Sequence, residues 1–120
     1  MPYIKSDTGR REKLQQADTA LNAGELNYQI FYYFKHTGKT CDINSEWCKE
    51  DIKQFVDNFL GESPNYQKYN DMTGCLIRCG LEIQRRLNME ADILVDILES
   101  YNKKINDYED KKIFENGDVE

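Results

Sequence analysis

Between about Tyr66 and Asn88, the residues Met72, Leu76, Cys79, Ile83 and Leu87 recur at intervals of four, three, four and four. Only an α-helix turns that spacing into one continuous face. Asp71, Arg78, Glu82 and Arg85 stay clear of this seam for four turns, so the helix reads as strongly two-sided. Gly74 and Gly80 sit inside it, each costing about 1 kcal/mol relative to alanine. Close helix packing or close approach of a ligand are the usual reasons for such glycines.

The rest of the chain follows the same period. A first helix is expected from about Arg10 to Ala23, capped by Ser6, Asp7 or Thr8, with Leu14, Ala17, Ala20 and Leu21 as its apolar positions. A second, aromatic helix carries Leu26, Ile30 and Phe34 on one face, with Tyr28, Phe31 and Tyr32 beside them. Being apolar over most of its girth, it is expected to be central, and "HTGKT" to close it as a loop. A third begins near Asn44 or Ser45, with a buried stripe of Trp47, Ile52, Phe55, Phe59 and Leu60, and "GESPN" ends it. A fifth, near Ala91 to Asp107, repeats Ile93, Leu94, Ile97, Leu98, Tyr101 and Ile105, after a turn or kink at Met89–Glu90. Its heptad-like seam suits a partner within the subunit or in a second subunit. Asp107 can cap a short last helix from Tyr108, ended by Asn116–Gly117 and docked through Tyr108, Ile113 and Phe114. No strand-like alternation persists. The expected fold is therefore all-α, one domain spanning 1–120: a compact bundle of about five helices, with a short C-terminal helix or tail docked on it and 118–120 loose.

Charge narrows the partners. The net charge of −6 is concentrated at the C-terminus, where six acids and two lysines follow from Asp107 onward. Duplex or single-stranded nucleic acid calls for a basic face, so a nucleic-acid partner is not expected. No apolar run approaches the roughly 20 residues of a membrane span, and the first residues carry no signal-peptide core. A soluble, cytoplasmic protein without a membrane partner is expected. Cys41, Cys48, Cys75 and Cys79 then read as reduced, buried thiols that pack as small hydrophobes. A zinc site built from these cysteines and His36 is the alternative, although the spacings match no common zinc motif.

Three blocks carry a resemblance: "GELNYQI", "YNDMTGCLIRCGLEIQRRL" and "YEDKKIFENGDV", together with the "MPYI" start. In this order they resemble a family of small, uncharacterised bacteriophage and prophage proteins. The likeness covers roughly the first 35 residues, the segment 66–87 and the last 13. The chain departs from the family in three ways. It inserts "LNMEADILVDILESYNKKIN" after Arg85–Arg86, it has Asp107 where proline precedes the Tyr-Glu-Asp block, and it ends in Glu120 rather than an aromatic. The resemblance implies a host-takeover or anti-defence role, by binding a host protein or sequestering a small molecule. It implies no particular chemistry.

Three classes of function use these residues differently. As a binder of a nucleotide-like ligand, the chain would use Tyr28, Tyr69, Asn70, Arg78, Glu82, Arg85 and Arg86 for stacking, amide hydrogen bonds and phosphate pairing. Glu109 and Asp110 would then reach the Arg85–Arg86 pair from the C-terminal segment. The plain structural reading makes Tyr28 and Tyr69 core edges and pairs the arginines with Glu82 or the acidic tail. As a metal-dependent nucleotide pyrophosphohydrolase, it would gather Glu46 and Glu50, or Glu109, Asp110 and Asp118, around magnesium. As a structural module it would self-associate through the fifth helix. The binding reading uses the residues best: a binding or inhibitory protein without catalysis or cofactor, self-associating, whose partner is a nucleotide-like small molecule or a host protein.

Overall fold

A computed structural model describes residues 9–38, 42 and 45–117. Every regular element among them is a helix: α1 (Arg10–Gln15), α2 (Ala23–Thr37), α3 (Glu46–Leu60), α4 (Tyr66–Leu87) and α5 (Asp92–Asn116). The seam of α4 faces inward, with Met72, Leu76, Cys79 and Ile83 essentially sealed from solvent. On α2 the same holds for Leu26, Ile30 and Phe34. Burying a side chain of this size contributes about 1.5–3 kcal/mol, so these two rows anchor the bundle. The two helices share the most extensive contact in the molecule; α3 packs on both, α5 lies along α4, and α1 rests on α2.

The helix starts are set by side chains. Asn22 accepts the Glu25 N–H at 2.9 Å, Ser45 the Cys48 N–H at 3.2 Å, and Asn65 the Lys68 N–H at 2.9 Å. Each satisfies an amide that the first helical turn leaves without a partner. Asn88 takes a left-handed conformation (φ 51°) and turns the chain back, so α5 runs antiparallel to α4. The expected turn before α5 is therefore real.

Several expectations are corrected. The first helix is only Arg10–Gln15, because Ala17 adopts a positive φ of 67° and breaks it; Leu21 is 70% exposed in the connection to α2. Its capping candidates, Ser6, Asp7 and Thr8, lie outside the described residues, and Gly9 stands at the N-cap. The second helix runs on through His36 and Thr37 instead of ending in a loop there. Trp47 is 62% exposed, since the inward row of α3 is set by Cys48, Ile52, Val56 and Phe59, and Trp47 projects to its side. The C-terminal helix is not a separate element. No proline or glycine stands between Asp92 and Asn116, and α5 continues unbroken to the Gly117 cap, whose N–H bonds the Ile113 carbonyl at 2.8 Å. Docking ends near Tyr108, beyond which the helix is exposed and Phe114 is 91% accessible. The radius of gyration, 15.3 Å, accordingly exceeds the about 13–14 Å of a spherical domain this long.

The heptad seam of α5 is spent inside the subunit: Ile93, Leu94, Ile97 and Tyr101 are buried against the core. Cys48, Cys75 and Cys79 are buried free thiols, as expected of structural cysteines, while Cys41 lies outside the described residues. Burial pushes the Cys75 thiol up to about 12 and that of Cys79 well above its ordinary value, which removes both as nucleophiles near neutral pH.

Candidate functional site

The side of α2 away from its apolar row carries Tyr28, Tyr32 and His36, four residues apart and therefore stacked along one line. The rings of Tyr28 and Tyr32 lie 6.1 Å apart, and those of Tyr32 and His36 4.1 Å apart. From α1, Arg11 places its guanidinium 5.6 Å from the Tyr28 ring centre, and Gln15 donates to the Tyr28 hydroxyl at 2.9 Å. From the far end of α4, Arg86 sits 4.8 Å over Phe31. With Lys35 these residues line an open cleft of about 350 Å³. Among the described residues lining it are Arg11, Lys35, His36 and Arg86 but no carboxylate. For a chain of net charge −6, that is a local inversion of sign.

What holds α1 in place is polar. Arg10 forks onto Glu25 (2.9 and 2.7 Å), and also reaches Asp18 at 2.6 Å and the Thr19 carbonyl at 2.8 Å. The Arg10 hydrogen bond is the main reason the Glu25 carboxyl lies below its ordinary range, and the Leu21 N–H adds to it. Buried Gln29 donates to the carbonyls of Leu14 (3.0 Å) and Asp18 (2.7 Å), tying the connection to α2. A six-residue helix has little stability alone, so this cluster is what presents Arg11 and Gln15 to the cleft.

The residues expected to form one site fall in separate places. Tyr28 and Arg86 belong to the cleft just described. Tyr69, Asn70 and Glu109 converge instead on a groove of about 270 Å³ between the start of α4 and the middle of α5. There the Tyr66 N–H donates to the Tyr108 hydroxyl at 3.0 Å, and the Tyr69 and Tyr108 rings stand 5.4 Å apart. Burial raises the Tyr69 hydroxyl above its ordinary value. The lining of this groove includes Glu109 and, among the described residues, no lysine or arginine, so it is poorly suited to phosphate.

Arg78, Glu82 and Arg85 form a ridge on α4, with Arg85 donating to Glu82 at 2.8 Å; that hydrogen bond is the chief cause of the lowered Glu82 carboxyl. This matches the pairing expected of a solvated helix face. Asp110 is exposed on α5. The proposed reach of Glu109 and Asp110 to Arg85–Arg86 is corrected by topology. Because α4 and α5 are antiparallel, Glu109 lies beside Tyr69, about 24 Å along α4 from Arg85. Asp118 lies outside the described residues.

The composition of the cleft went partly unread. Sequence reasoning misses Arg11, Gln15, Phe31, Tyr32 and Lys35 as site residues and weighs His36 as a zinc ligand, although the four-residue spacing of Tyr28, Tyr32 and His36 is a visible signal. What linked them is the apposition of α1 and α4, which no local pattern encodes. Among the described residues, no group of three His, Cys, Asp or Glu side chains is close enough to hold a metal ion. No described helix is long and apolar enough to cross a membrane.

A family model with the description "Domain of unknown function (DUF6899)" matches residues 1–119, a span that takes in the segment 87–106 as well as the three blocks. No curated protein and no solved structure matches the chain.

Proposed function

The chain belongs to that family of unassigned function, and from this premise we propose that it binds a nucleotide-like ligand in the α1–α2–α4 cleft and releases it unchanged. The observation that carries this reading is the lining of Arg11, Lys35, His36 and Arg86, with no carboxylate among the described residues there, around a ladder of aromatic rings in an otherwise acidic chain. Cations pair with phosphate oxygens, guanidinium groups most strongly, and tyrosine faces stack on a base. A volume of about 350 Å³ lies at the small end of ligand pockets, suiting one nucleotide unit rather than a nucleic-acid strand. The metal-dependent hydrolase is less well supported, because Glu46, Glu50, Glu109 and Asp110 form no metal-binding cluster among the described residues.

Binding without turnover fits sequestration. The resemblance of the sequence to phage and prophage proteins supports an anti-defence role, in which a nucleotide-derived signal of the host is withheld in the host cytoplasm. Titration calorimetry against linear and cyclic nucleotides tests the reading. At least one should bind, and Arg86→Ala and Tyr32→Ala should each weaken it roughly tenfold, the loss of about 1.4 kcal/mol. Chromatography of the recovered ligand should return it intact. No heat from any nucleotide, affinity unmoved by both variants, or a hydrolysed product would reject the proposal.

A further inference from the structure

The outward side of α4 carries a second regular row. Tyr66, Asn70, Gly74, Ile77, Leu81 and Gln84 follow one another at four, four, three, four and three residues, opposite the buried seam. All of them are exposed and none is charged, in a chain that is 32% charged. Ile77 and Leu81 are 55% and 54% accessible, and Val95 of α5, beside them, is 55% accessible. Together with Gly80, Ala91 and Leu94 they line a shallow groove of about 260 Å³. A solvated helix face has no need of this pattern; a helix partner does, because a row at three and four is the seam of a coiled coil.

The flank of the row identifies the partner. Asp71 stands beside its first half, and Arg78, Glu82 and Arg85, the last donating to Glu82 at 2.8 Å, stand beside its second half. The other flank is occupied by α5, since a Cβ on Gly80 would lie 3.7 Å from that of Ala91. We propose that α4 pairs antiparallel with α4 of a second copy of this chain across this outer row. A two-fold arrangement layers Ile77 of each copy against Leu81 of the other. The same register brings Asp71 of one copy across from Arg85 of the second, and Arg78 near Glu82 of the second. A parallel two-fold pairing would instead turn the charged flank of each copy toward the α5 flank of the other, and these matches would be lost. Because a two-fold interface uses each contact twice, the apolar and the charged matches are both doubled. The inference does not depend on the ligand: the cleft and this row lie on different faces of the molecule.

Sedimentation velocity on the full chain tests the pairing. The wild type should sediment as a dimer at micromolar concentration, and Ile77→Glu with Leu81→Glu should give a monomer whose circular dichroism keeps its helicity. Charge reversal then tests the register. Asp71→Arg and Arg85→Asp chains should each dimerise roughly tenfold more weakly than wild type, and mixing the two should restore a dimer holding one of each. Should the double glutamate chain unfold, Val95→Lys supplies the same comparison from α5. A wild type that stays monomeric at hundreds of micromolar, an assembly indifferent to these apolar substitutions, or a mixture no tighter than its components would overturn the proposal.

Discussion

Arg10 shows how one side chain decides the standing of a neighbour. Its guanidinium satisfies Glu25, Asp18 and the Thr19 carbonyl together, and so holds a short helix whose next residue, Arg11, overlies Tyr28. Replacing Glu25 by glutamine removes the charge but keeps the volume, and should cost about 1–2 kcal/mol in denaturant melts. A pH dependence follows. The Glu25 and Asp18 carboxyls are held below their ordinary range chiefly by Arg10, so the folded chain binds fewer protons than the unfolded one. Their contribution is complete above the unfolded carboxylate range, near about pH 4, and is lost as pH falls below it. The melting temperature should therefore drop between about pH 5 and about pH 3, and less steeply for Glu25→Gln. Equal slopes for the two chains would remove this pair from the acid transition.

At the level of elements, the two glycines of α4 look identical in sequence but differ in surroundings. A Cβ on Gly80 would meet Ala91 and Leu94 at 3.7 and 3.9 Å, ordinary van der Waals contact, so that position faces α5 without its packing demanding a glycine. A Cβ on Gly74 would meet nothing within 4 Å. Gly74→Ala should accordingly stabilise the chain by about 0.5–1 kcal/mol, since it only removes freedom from the unfolded state. Gly38→Ala should do the reverse. Its Cβ would lie 2.7 Å from the Phe34 carbonyl oxygen and collide with the end of the Met89 side chain. Urea titrations of the two variants should move the midpoint in opposite directions. The elements themselves were legible: α3 begins at an expected cap, Ser45, α4 starts at the expected Tyr66, and α5 starts one residue after the expected Ala91. The expectations that fail include α1, broken by the conformation of Ala17, the loop expected at His36, the burial of Trp47, and the C-terminal segment, where Asp107 resembles a cap but is an interior residue of α5.

For the molecule as a whole, the core is one continuous cluster from Leu14 to Tyr101, with Cys48, Cys75 and Cys79 inside it. Thiols so placed react only when the domain opens. In a Cys41→Ser background, labelling by a disulfide reagent near neutral pH should follow the global unfolding rate and accelerate with denaturant. Fast labelling of the native chain would mean that the bundle opens locally around these positions.

Fold class and the polarity of each helix follow from the residue order alone, because apolar spacing and capping are local and act before any neighbour is in place. The residue order also singled out two residues of the cleft, Tyr28 and Arg86. Which of them meet was decided by tertiary structure alone. The antiparallel turn at Asn88 carries Glu109 to the Tyr69 end of α4 and away from Arg85, while the packing of α1 and α4 on α2 brings Arg11 and Arg86 to the aromatic ladder. A site assembled from three helices depends on their relative placement, and that placement is set by the shape of the shared core rather than by any one segment.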